Sequence, residues 1–245
     1  MSTHTFRRIV VYGVLAIAAG SLFSMRRVLW RRLVIGDTAV ARTHTPTVEG
    51  ALSAYGKRSD RRFRAVCRQS GVAYPPKRIT LIALKEEKRL EVWGADARKP
   101  YKRLAVYPVL AASGVSGPKR REGDLQVPEG FYRISALNPA SQFHLSLRVD
   151  YPNAEDTAHR TVARSAMGGD IYVHGGAASI GCLALGDSAI EEVFCLVARA
   201  SAANRTILIA PRDFRVSPDA PRTSNPWVQN LYMRLQTTLR EDFPL

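Results

Sequence analysis

At 245 residues, 46% of them hydrophobic and 23% charged, the chain is long enough to bury one sizeable core and too apolar to be disordered. Its formal charge of +15 is unevenly spread: residues 1–78 hold 15 Lys or Arg against 3 acidic residues, while residues 79–245 hold 21 against 18. A basic excess confined to one end, with no aromatics interleaved among Arg61, Arg62, Arg64 and Arg68, argues against a nucleic-acid partner and for an anionic membrane surface.

The elements read as follows in chain order. Residues 9–25 form an apolar run broken only by Gly13, Gly20, Ser21 and Ser24, with Arg7 and Arg8 before it and Arg26, Arg27, Arg31 and Arg32 after it. Its length is the lower limit for a bilayer span, so an uncleaved anchor, a signal peptide cut near Ala18-Ala19-Gly20 and a buried terminal helix all fit, the anchor best because no polar face interrupts the run. Arginines on both flanks leave its orientation open. Residues 1–35 are therefore read as a cytoplasmic stub and membrane anchor or signal segment, and 36–75 as a Thr-rich linker and a basic helix. Ala51, Leu52, Tyr55, Phe63, Val66 and Cys67 predict an amphipathic helix or helix pair ending near Gly71.

From Arg78 the period changes to two, predicting strands over 79–84, 89–93, 101–110, 130–135 and 142–149, with long polar connections at 114–129 and 151–169. Ser188 with Glu191 predicts a capping box opening a helix to about Arg199. A last strand follows at 205–210, and a helix over 227–239 is expected outside the catalytic core. The expected fold class is α+β and β-rich, with flanking helices, a domain at 76–215 and a C-terminal helical extension at 216–245.

The chemistry concentrates between His174 and Cys182, the ends of the loop His-Gly-Gly-Ala-Ala-Ser-Ile-Gly-Cys, entered from the strand-like run 170–173. A thiol needs a neighbouring base or positive charge to act as a nucleophile at neutral pH, and an imidazole on the same loop supplies one. Gly175 and Gly176 permit a sharp turn, and Gly181 leaves room for a carbonyl beside the thiol, where the backbone N–H groups of Gly181 and Cys182 can hold an oxyanion. The competing reading makes Cys182 a buried hydrophobe and His174 a core histidine; three glycines around them favour catalysis. A thiol activated in this way is expected to react with electrophiles well below pH 8. Cys67 and Cys195 fall on helical patterns and are read as packing, with no spacing that demands a bridge between them. His144 reads as a structural strand histidine, His159 as a solvated one, and no His or Cys pair has a recognised metal-ligand spacing, so neither metal nor cofactor is expected. Arg121, Glu122 and Glu129 lie in a loop able to meet a charged peptide, although solvated charges are the plainer reading.

Residues 76–215 resemble the L,D-transpeptidase family of YkuD domains, and within it the YafK-like branch. The resemblance rests on Lys85-Glu86-Glu87-Lys88-Arg89-Leu90-Glu91, Gly117-Pro118-Lys119, Arg121-Glu122-Gly123-Asp124, Pro128-Glu129-Gly130-Phe131-Tyr132, His144-Leu145-Ser146, Tyr151-Pro152-Asn153, and Val173-His174-Gly175 with Ser179, Gly181 and Cys182. It implies a β-sandwich-like fold in which Cys182 attacks a peptidoglycan peptide stem to form a thioester, with His174 as general base and Ser179 as the motif hydroxyl. An amine acceptor then resolves the thioester. Many members carry a second His two residues before the Cys and an Arg or Asn two residues after it; here Ile180 and Ala184 stand there. The resemblance implies a protein of the bacterial envelope, facing the periplasm and anchored or secreted, engaged in cell-wall organisation. It leaves two alternatives: a hydrolase of the same linkage that releases wall-bound lipoprotein, and a wall-binding scaffold without activity.

Overall fold

The structure, a computed structural model, describes residues 47–245; the apolar run at 9–25, and with it the expected membrane segment, lies outside the described residues. Among the described residues no helix is long and apolar enough to cross a membrane. Helix α1, Val48–Ser70, starts where the Thr47 hydroxyl accepts the Gly50 N–H. It ends where Gly71 takes a left-handed φ of 69°, letting the N–H groups of Gly71 and Val72 return to the carbonyls of Arg68 and Cys67. It is thus a single helix, and it begins inside the stretch read as linker.

Eight strands follow: β1 Arg78–Leu84, β2 Arg89–Ala95, β3 Lys102–Pro108, β4 Gly130–Ser141, β5 His144–Val149, β6 Tyr172–His174, β7 Leu183–Ala184 and β8 Arg205–Ala210. They form one curled mixed sheet in the order β3-β2-β1-β8-β4-β5-β6-β7, parallel only at β1–β8 and β6–β7. The curl sits in β4, whose first residues pair with β8 while the rest pair with β5 through two register shifts. The expected mixed, sheet-rich α+β class is present. β4 runs beyond the expected stop at 135, and the two-residue β7 carries too little pattern to be read from sequence.

Both faces of the sheet are covered, which explains why β1 and the end of β8 are buried at successive residues and not at alternate ones. Leu81, Ile207 and Ile209 face a core shared with Phe63 and Cys67 of α1 and with Phe194 of helix α3, Asp187–Arg199. Ile82, Leu84 and Leu208 face a second core with Leu231, Leu235 and Leu239 of helix α4, Pro226–Glu241. Helix α2, Ala154–Ala158, lies in the long 151–169 connection and is opened by a capping box between Asn153 and Asp156. Two expectations are corrected here. α4 packs on the sheet instead of lying outside the core, and α3 opens at Asp187 after Gly186, with no side-chain cap from Ser188 or Glu191. Glu191 instead bonds His144 Nε2 at 2.9 Å, consistent with the structural reading of that histidine.

A buried ionic network fastens the chain after β8 to β2. Arg215 donates to Glu91 at 3.0 Å and to Asp213 at 2.7 Å, and also to the Phe243 carbonyl beyond α4, while Trp93 Nε1 donates to Glu91. Glu91, Asp213 and Arg215 are all buried, so removing the central cation leaves two carboxylates under-compensated. Arg215→Met is expected to cost about 3–5 kcal/mol of unfolding free energy in a urea titration. A loss below ~1 kcal/mol would show that the network holds nothing together.

Candidate active site

The site is built on β6, β7 and the eight residues between them, 175–182. The parallel register sets Val173 opposite Leu183 and His174 opposite Ala184, so one residue earlier Tyr172 lies opposite Cys182. Val173 and Leu183 point into the core, while His174 ends β6 and Cys182 immediately precedes β7, its Sγ meeting the Tyr172 N–H of β6. The loop between them is pinned at its first turn. Gly175 N–H bonds the Leu145 carbonyl, Gly176 N–H bonds Asp187 Oδ1 at 2.9 Å, and Gly186 N–H bonds the Gly176 carbonyl. Gly175 is needed for closeness, because a Cβ there would meet the Phe143 carbonyl at 2.6 Å and Asp187 Oδ1 at 2.7 Å. Gly181, at φ +82°, delivers the chain to Cys182 through a left-handed turn.

His174 is buried, its ring covered by Phe143 at a centroid distance of 4.6 Å. Its Nδ1 lies 2.6 Å from the Gly175 carbonyl, an acceptor only, so Nδ1 carries the hydrogen and Nε2 is left as the basic nitrogen. Burial pushes the imidazole pKa below its ordinary 6.5, against the smaller opposing effect of that carbonyl. The ring is therefore neutral at pH 7.

Cys182 Sγ accepts the Tyr172 N–H at 3.4 Å and reaches the Asp170 carbonyl at 3.5 Å. Burial raises its pKa above the ordinary 9.0, the Tyr172 N–H and Lys119 countering and Asp170 adding to the rise. This corrects the expectation of a thiol ionised well below pH 8: the thiol is raised and the imidazole lowered because both groups lose water, which outweighs the opposing charge of Lys119. Alkylation of Cys182 by iodoacetamide is accordingly expected to keep rising about tenfold per pH unit through pH 8, read from intact mass. A plateau below pH 8 would contradict this. Cys67 and Cys195 are buried, with thiols raised to about 11 and about 12, and all three cysteines are free.

The two backbone N–H groups expected to form an oxyanion hole already have partners. Cys182 N–H donates to Ser179 Oγ at 3.0 Å, and Gly181 N–H donates to Ser113 Oγ at 2.7 Å. Ser113, which the sequence did not single out, stands in the run Ala111-Ala112-Ser113-Gly114, whose small residues are its only trace there. Phe143 and Tyr172 were likewise missed, since a hairpin tip and a backbone donor leave no motif. Ile180 is 76% exposed, two residues before Cys182, whereas Ala184 is buried, bridged to Ala111.

Other expected residues lie elsewhere. Glu129 is sealed inside, bonded by Lys85 at 2.9 Å and by Tyr232 at 2.8 Å, so it does not face a peptide; Arg121 and Glu122 are exposed. His159 stacks on Trp227 at 4.7 Å. An open cavity of about 510 Å³ beside α2, lined by Asn153, Thr157, Arg160 and Arg164 among others, contains neither Cys182 nor His174.

Comparison with known proteins places this arrangement. The L,D-transpeptidase catalytic domain, YkuD, matches residues 78–209. Two curated proteins, both described as putative L,D-transpeptidase YafK, from Escherichia coli strain K12 and from E. coli O157:H7, are 36% identical over 115 residues. That match covers 46% of this chain and 44% of theirs, so it spans less than half the length of those relatives. Among solved structures, the helical cell shape determining protein Pgp2 from Campylobacter jejuni aligns at 22% identity and TM-score 0.42 over 62% of this chain and 54% of its own. Bdellovibrio bacteriovorus Bd1075 aligns at 18% and 0.41 over 69% and 58%. With the domain match extending over more than half of its length, the chain belongs to the L,D-transpeptidase (YkuD) family.

Proposed function

We propose that the protein is a cysteine-dependent L,D-transpeptidase acting on the peptide stems of bacterial peptidoglycan, with Cys182 as nucleophile and His174 as general base. The observation that carries this reading is the hydrogen bond from His174 Nδ1 to the Gly175 carbonyl. It fixes the tautomer whose free Nε2 can take a proton, on the strand whose Tyr172 N–H also holds the Cys182 sulfur.

In the proposed reaction Sγ attacks the stem carbonyl carbon while its proton passes to His174 Nε2. The oxyanion of the tetrahedral intermediate is met by the Cys182 N–H and the Ser179 hydroxyl, which share one hydrogen bond at rest; Gly181 contributes the turn, since its N–H is spent on Ser113. Collapse breaks the C–N bond, the departing amine takes the proton from Nε2, and a thioester remains. An acceptor amine then attacks the thioester carbon, gives its proton to Nε2, and the thiolate leaves and is reprotonated.

Water can replace the amine in that last step, which is the hydrolytic alternative and would release a wall-linked lipoprotein instead of forming a cross-link. The apolar run at 9–25 supports placing the protein at the cell envelope, anchored in the membrane and facing the periplasm. The test is the intact mass of the purified protein after exposure to a stem peptide or a carbapenem, followed by mass analysis of wall fragments from cells with and without it. An adduct on Cys182 with new cross-links supports transfer, and an adduct with lipoprotein retained on the wall in the protein's absence supports hydrolysis. No adduct supports a scaffold.

A further inference from the structure

The long connection between β3 and β4 is held as one piece. Lys85 Nζ donates to the carbonyls of Val115, Gly117 and Val127, and to Glu129, while Asp124 accepts from Lys119 Nζ and from the N–H groups of Arg120, Arg121 and Gln126. Across its narrow end Val115 N–H bonds Gln126 Oε1. One side chain joins this piece to the turn that carries the thiol. Ser113 Oγ donates to the Leu125 carbonyl at 2.7 Å and accepts the Gly181 N–H at 2.7 Å. The hydroxyl thus spends its single hydrogen on the connection and a lone pair on the nucleophile turn.

We propose that Ser113 is a positioning residue for the acyl-transfer site, holding the Gly181 peptide so that the N–H of Cys182 is aimed for the oxyanion. The inference rests on the thioester reading and adds to it a residue outside the His174–Cys182 loop. The physical link is short. Gly181 sits at φ +82°, where glycine has a broad basin and no side chain to restrict it, so its conformation must be fixed from outside. Tying its N–H to Ser113 fixes one end of the residue, and the peptide that follows carries the Cys182 N–H. The neighbouring backbone is held separately, by Leu110 N–H to the Ala184 carbonyl and Ala184 N–H to the Ala111 carbonyl, so loss of the hydroxyl frees the turn and leaves β7 in place. Ser179 differs: it accepts from Cys182 itself and touches the reacting residue, whereas Ser113 acts through Gly181.

Two reactions of the same sulfur separate positioning from general damage. Acylation by a carbapenem passes through a tetrahedral oxyanion, and alkylation by iodoacetamide does not. In Ser113→Ala the second-order rate of acylation of Cys182 is expected to fall roughly 10- to 100-fold, with alkylation at pH 9 within about twofold of wild type and the melting temperature unchanged. Ser113→Thr, which keeps the hydroxyl, is expected to restore acylation. The inference is overturned if Ser113→Ala acylates like wild type, if acylation and alkylation fall together, or if Ser113→Thr behaves like the alanine variant. Wild-type protein that takes up no carbapenem and no stem peptide would remove the thioester reading, and the role of Ser113 with it.

Discussion

Cys182→Ser is expected to abolish acyl transfer, lowering kcat/KM by at least about four orders of magnitude, while leaving unfolding free energy within ~1 kcal/mol of wild type. The hydroxyl of serine is a far poorer nucleophile than sulfur, and among the described residues the partner of the His174 ring's Nδ1 is the neutral carbonyl of Gly175, not a carboxylate that would strengthen its basicity. The thiol is only partly buried and its protein contacts are to backbone atoms of Tyr172 and Asp170, so the smaller oxygen leaves little unfilled space. Steady-state assay on a stem peptide with urea denaturation checks both halves. Retained activity would exclude the sulfur from the mechanism, and a large loss of stability would restore the reading of Cys182 as a packing residue.

His174→Ala is expected to slow acylation roughly a hundred- to ten-thousandfold at pH 7. Its pH behaviour identifies the cause. Burial lowers the imidazole pKa, so the neutral, proton-accepting form persists as pH falls through 6.5 and is lost only at the lower folded value; the acid limb of kcat/KM in wild type should lie below pH 6.5. Burial raises the thiol, so less thiolate than an ordinary cysteine would supply is present near pH 7 to react without the base. In the variant acylation should therefore recover with rising pH as thiolate forms unaided, while iodoacetamide alkylation at pH 10 matches wild type. An acid limb above pH 7, or equal loss of alkylation at pH 10, would assign His174 a structural role instead. The alanine variant also leaves the Gly175 carbonyl unpaired, at a stability cost of about 1–3 kcal/mol, so His174→Gln is the companion that keeps much of the volume.

The most legible parts of the chain were those with local causes. β1 and β8 declare themselves by branched apolar residues between turn signals, and the sequence limits 205–210 coincide with β8. Helix α3 shows in the spacing of Ile190, Val193, Phe194 and Val197, all buried, and Cys67 and Cys195 pack as helical spacing predicts. The capping box failed because Glu191 found His144, forty-seven residues distant, and Ser188 lies inside the first turn. Helix α4 was placed outside the core because its apolar stripe has no sequence neighbour; it covers a sheet face formed by strands more than a hundred residues apart in the chain.

By itself, then, the sequence determined the candidates for the chemistry: a histidine and a cysteine eight positions apart, with glycines where the backbone must turn or approach closely, in an α+β chain of the L,D-transpeptidase family. Only the tertiary structure decided their protonation and their hydrogen bonds. The pKa of a thiol or imidazole is set by the water it loses and the dipoles it meets, and those come from Phe143, Asp170, Tyr172 and Gly175 through strand pairing. Ser113 belongs to the same category, since a hydroxyl sixty-eight residues from Gly181 becomes its partner only once β7 and the chain after β3 lie side by side.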